Sequence, residues 1–90
     1  MGTALLKIKI MPESPKTDLK GIESKAKKII ESQKGKNVSF EKEPIAFGLT
    51  ALIVTFSIDE SLSTDIFEEE LKKIPHVSSV NIIDFRRAFG

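Results

Sequence analysis

The apolar residues of this 90-residue chain change their spacing along its length, and the order of those changes restricts the available folds more than any motif does. Leu6, Ile8 and Ile10 alternate with Lys7 and Lys9, the two-residue period of a strand with one wet face. Pro12 and Pro15 end that strand, and Thr17 or Asp18 can cap a helix whose apolar positions Leu19, Ile22, Ala26, Ile29 and Ile30 follow helical spacing. Gly35 stands where a left-handed helix stop is wanted. Val38 and Phe40 then alternate with Ser39 and Glu41 in a second strand that ends at Pro44. The β-branched run from Leu49 to Ile58, apolar on both faces, reads as a central strand. The plan then repeats. Ser63, Thr64 and Asp65 are N-cap candidates, with Glu68 three residues beyond Asp65. Phe67, Leu71 and Ile74 form an apolar stripe that Pro75 stops, and Val77 to Phe85 is the last strand.

The order β-α-β-β-α-β predicts an α+β, ferredoxin-like sandwich, a four-stranded antiparallel sheet with two helices on one face and the other face largely open. Right-handed crossovers put the first and third strands in the middle. At this length one core suffices, so residues 1–90 read as a single domain.

Composition then removes function classes. Without cysteine there are no disulfides, iron–sulfur clusters or thiolate zinc sites, and one histidine leaves only carboxylate metal sites, so neither metal nor cofactor is expected. There is no apolar run near the ~20 residues of a membrane span and no signal-peptide pattern, which predicts a soluble, cytoplasmic protein. Fourteen basic and thirteen acidic side chains give a formal charge of +1, far from the basic footprint of a general nucleic-acid binder. His76 has no catalytic partner visible from spacing, so the chain does not read as an enzyme with a small-molecule substrate. It also carries no glycine-rich phosphate loop with a Lys-Ser/Thr pair. The Lys25, Lys27 and Lys28 face of the first helix reads as solvated.

Two stretches do not fit a bland domain. Pro44-Ile45-Ala46-Phe47-Gly48-Leu49 is an apolar, aromatic turn where connections are ordinarily polar, so Phe47 needs cover from the domain's own core or from a partner protein. The second stretch is Asp84-Phe85-Arg86-Arg87, which extends a strand into two cations. Taken with Ile58-Asp59-Glu60, Ser63-Thr64-Asp65-Ile66-Phe67-Glu68-Glu69 and Val77 through Phe85, these segments resemble the guanine-nucleotide exchange domain of translation elongation factor 1-beta over nearly the whole chain, in a short form like the archaeal one. Ala46 stands where eukaryotic members carry the first glycine of a Gly-aromatic-Gly turn.

The resemblance implies an exchange factor that promotes GDP release from the elongation factor 1-alpha-type GTPase that delivers aminoacyl-tRNA. It implies partner-binding roles for Phe47 and Gly48 in the turn, for Phe85, and for a basic residue near the C-terminus that intrudes at the GTPase's magnesium site. That residue falls on Arg87, with Arg86 as its rival. If the strand stays extended, Phe85 and Arg87 share one face and Arg86 points the other way. Two other classes remain open: an RNA-binding module using the exposed sheet and the lysines, and an ACT-like ligand-sensing domain. The first needs aromatics on the central strands, and the second a glycine-rich turn where Met11-Pro12-Glu13-Ser14-Pro15 stands.

Overall fold

The computed structural model describes residues 2–88. Its elements are β1 (Thr3–Pro12), α1 (Leu19–Ser32), β2 (Lys36–Pro44), β3 (Thr50–Asp59), α2 (Asp65–Lys72) and β4 (Val77–Ala88). The four strands form one antiparallel sheet in the order β2-β3-β1-β4, which is the ferredoxin-like arrangement with the first and third strands central.

The alternation in β1 sends Ala4, Leu6, Ile8 and Ile10 to one face, where they lie beside Leu52, Val54, Phe56 and Ile58 of β3. Ile22, Ala26 and Ile30 of α1 and Phe67 and Leu71 of α2 close over them, with Ile74 just beyond α2. The Phe56 and Phe67 rings sit 4.9 Å apart, tilted by 51°, within the favoured range for aromatic pairs. The opposite face is less open than the strand pattern suggests. Ala51 and Ile53 are buried there too, flanked by Lys9 of β1 and Glu43 of β2, whose charged groups approach to 4.0 Å across β3. This explains why β3 is apolar on both faces.

Asp18 is the N-cap of α1, its Oδ1 accepting the Lys20 N–H at 3.1 Å. At the other end, Lys34 rather than Gly35 takes the left-handed conformation (φ 70°). The Lys34 N–H donates to the Glu31 carbonyl at 3.1 Å and the Gly35 N–H to the Ile30 carbonyl at 2.8 Å, a Schellman closure with Lys34 at its turning point. Glycine is required at 35 for space instead, since a Cβ there would press into the Ile30 side chain and stand 2.9 Å from the Ile30 carbonyl oxygen. At α2, Thr64 occupies the cap position without a side-chain bond, and the only local side-chain contact has Ser63 Oγ accepting the Asp65 N–H at 3.3 Å. The acidic first turn, Asp65 and Glu68, stands where the helix dipole favours negative charge.

Candidate partner interface

The β2–β3 connection is a single 3-10 turn, Ala46–Gly48, pinched by the Ile45 N–H bonding to the Leu49 carbonyl at 2.7 Å. Phe47 (φ 61°, ψ 30°) and Gly48 (φ 76°) are both left-handed. Gly48 takes that conformation without steric cost, whereas Phe47 carries about 1–2 kcal/mol of Cβ–carbonyl crowding. The result is a phenyl ring 94% exposed to solvent. Of the two covers the sequence left open for Phe47, the core is therefore overturned: two consecutive left-handed residues turn the side chain outward.

At the other end of the sheet, β4 continues as a paired strand through the two arginines. Its ladder with β1 matches Leu6 to Phe85, Leu5 to Arg86 and Ala4 to Arg87. Directly opposed residues share a face, so Phe85 and Arg87 lie on the helix-packed side with Leu6 and Ala4, and Arg86 lies on the other side with Leu5. Asp84, opposite Lys7, joins Arg86 on that second side, and its Oδ2 holds Arg86 Nε at 3.0 Å. Arg87 makes no ion pair among the described residues. The ladder skips one residue: Lys7 pairs with Asp84 and Ile8 with Ile82, leaving Ile83 as the extra residue of a β-bulge. Phe89 and Gly90, which follow the arginines in sequence, fall outside the described residues.

Among the described residues, three of the four large apolar side chains that stand exposed gather toward this end: Leu5 (42%), Ile83 (47%) and Phe85 (42%). The fourth is Phe47. Asp59, opposite Thr3 at the same end, accepts the Ser61 N–H at 2.9 Å and the Ser61 hydroxyl at 2.8 Å. These bonds, the backbone one foremost, hold its carboxyl below the ordinary value of 3.8.

Residues 5–88 match the EF-1 guanine nucleotide exchange domain. The chain is 43% identical over 88 residues to the elongation factor 1-beta of Methanosarcina barkeri, covering 97% of this chain and 99% of that protein. It is 39% identical to that of Methanobrevibacter smithii (97% and 98%) and 40% identical to that of Nanoarchaeum equitans (90% and 100%). The chain belongs to the EF-1 guanine nucleotide exchange domain family.

Within this exchange domain, the residues singled out from sequence form two groups rather than one. Phe85, Arg86 and Arg87 are together, while Phe47 and Gly48 lie beyond the far end of the β1–β3 ladder, where Ile10 faces Leu52. From the Ala4–Arg87 pair to Thr50 is eight residue steps, or about 26 Å along the strands. The long dimension of the molecule, 42 Å, lets both groups stand at its extremities. Leu5 and Ile83 escaped the sequence reading. Alternation puts Leu5 on the face of Lys7 and Lys9 and Ile83 on the face opposite Ile82, but spacing alone does not show that these two apolar side chains stay uncovered.

The same geometry weighs against the RNA-binding reading. Phe56, the only aromatic on a central strand, is fully buried on the helix side and unavailable for stacking on bases. His76 does have a neighbour, Glu13, whose Oε1 is 3.4 Å from Nδ1, and the Glu13 N–H donates to the His76 carbonyl at 2.9 Å. Both side chains are exposed and the pair ties two loops together. Among the described residues there is no cluster of three or more metal-ligating side chains, and no helix is long and apolar enough to cross a membrane.

Proposed function

We propose that this chain accelerates GDP release from an elongation factor 1-alpha-type GTPase, the one that delivers aminoacyl-tRNA, without performing chemistry on a substrate of its own. The observation that carries the reading is Phe47, a ring held in solvent on a strained turn in a chain of this exchange family. A monomer gains nothing from that arrangement, whereas a partner pocket that receives the ring does.

The mechanism is linkage. A protein that weakens GDP binding to the GTPase must bind the nucleotide-free GTPase more tightly by the same factor. The Phe47 turn supplies affinity at one end of the sheet. At the other end Arg87, with no ion pair among the described residues, supplies positive charge beside the nucleotide's magnesium ion. A single charge about 4 Å from a dication repels it by roughly 8 kcal/mol at an effective dielectric constant of 20. Half of that accelerates release roughly a thousandfold, at 1.36 kcal/mol per decade. Arg86 is the lesser candidate, because its guanidinium is already partnered by Asp84 on the opposite face. The separation of the two ends makes the GTPase contact two-footed, with affinity and nucleotide displacement residing in different feet.

Release of a fluorescent GDP from the GTPase, with this protein at a small fraction of the GTPase concentration, tests the reading. Stimulated release with many turnovers per molecule is expected. Release at the spontaneous rate, or saturable GTP binding by this chain alone, would sink it.

A further inference from the structure

The described residues contain three ladder irregularities. Two lie at strand ends, between Met11 and Pro12 of β1 and between Lys36 and Ser39 of β2. The third interrupts the middle of the β1–β4 ladder, where Ile83 has no partner, two residues before Phe85 and four before Arg87. β4 is an edge strand, paired on one side only. Bulges at sheet edges bend the strand that carries them and sharpen its twist, so they change the direction of everything beyond.

We propose that Ile83 is a positioning residue, whose extra place in β4 bends the strand so that the Phe85–Arg87 tip is aimed at the partner's nucleotide site. The inference rests on the reading of Arg87 as the displacing cation. Its physical basis is leverage. Arg87 lies three residues beyond Asp84, or about 10 Å along the strand, so a ten-degree change of direction at the bulge moves it by roughly 2 Å. A misplacement of about 1 Å can cost a hundredfold in a step that depends on position.

Deleting Ile83 isolates the bend. With the bulge dissolved, Asp84 still pairs with Lys7, Phe85 with Leu6 and Arg87 with Ala4, so every side chain keeps its face and only the direction of the strand changes. The deletion is expected to lower the GDP release rate at saturating exchange factor at least tenfold. The concentration giving half of that rate should move less than threefold, because the Phe47 foot is untouched. A glycine inserted after Ile83 enlarges the same bulge, redirects the tip the other way, and should lower the saturated rate comparably. It also serves as the second test if the deletion does not fold. Ile83→Ser keeps the extra residue and should keep the saturated rate within threefold.

Parent-like release by either length variant, once folded, overturns the proposal. So does an Ile83→Ser loss equal to theirs, since the side chain rather than the bend would then be responsible. A parent protein that itself fails to release GDP refutes the exchange reading instead, and the two failures are thus distinguishable.

Discussion

Replacing Phe47 by glycine should separate stability from binding in opposite directions. The ring is 94% exposed, so the small remainder of a side chain of about 200 Å² buries on the order of 10 Å². At 25 cal/mol per Å² its loss costs about 0.3 kcal/mol. Glycine removes about 1–2 kcal/mol of left-handed strain at φ 61°. It returns roughly 0.5–1 kcal/mol through the greater freedom of the unfolded chain. The net change lies between about zero and 1 kcal/mol in favour of the folded state, an unchanged Tm or a rise of up to about 8 °C for a domain of this size. Phe47→Ala keeps the strain and should stay within about 0.5 kcal/mol of the parent. Both variants should lose about 2 kcal/mol of affinity for the GTPase, about thirtyfold in Kd, as expected for a central aromatic anchor. Calorimetric melting and titration against nucleotide-free GTPase on one preparation measure both effects. A Tm lowered by many degrees would mean that the ring is packed in the protein, and an unchanged Kd would mean that it meets no partner; either refutes the reasoning.

At saturating exchange factor, Arg87→Ala should lose most of the stimulated GDP release, Arg87→Lys should keep much of it because charge is what opposes the metal, and Arg86→Ala should be nearly neutral; parent-like rates for both alanine variants would remove the cation from the mechanism. Ser61→Ala should raise the Asp59 pKa toward its ordinary value, since one of the two donors is lost, as read by NMR titration of the carboxyl. Because that pKa is lowered on folding, the Asp59–Ser61 contact stabilises the protein above the unfolded carboxylate's pKa and is lost as pH falls through the folded one, so parent and variant should converge in stability under strong acid. Gly35→Ala should cost about 1–3 kcal/mol in urea unfolding, the usual penalty for overpacking, because the new Cβ meets Ile30.

Most of the architecture could be read from residue spacing, because one buried face forces a period on each element. Ala26, Ile30, Phe67 and Leu71 lie where helical spacing put them, and Leu6, Ile8 and Ile10 where alternation did. The misreadings have local causes. Gly35 signalled a left-handed stop, but glycine also serves close packing, and only the Ile30 contact distinguishes the two uses. Phe85 and Arg87 share a face, as an extended strand requires, yet alternation from Val80 and Ile82 alone would send both to the open face. The bulge reverses that parity, and no property of isoleucine announces a bulge. Phe47 was recognisable as anomalous, but its exposure depends on a backbone conformation that a phenylalanine rarely adopts.

The pairing of Thr3 with Ala88 has a consequence for biosynthesis. β1 is a central strand of the sheet, yet one of its two neighbours is β4, far from it in sequence, so a ribosome-bound chain holds an unsatisfied edge on β1 until β4 emerges. Pairings this distant in sequence close late and slowly. Acquisition of the fold therefore waits for β4, and a product terminated before β4 would present β1, with its alternating isoleucines, as an open template for aggregation.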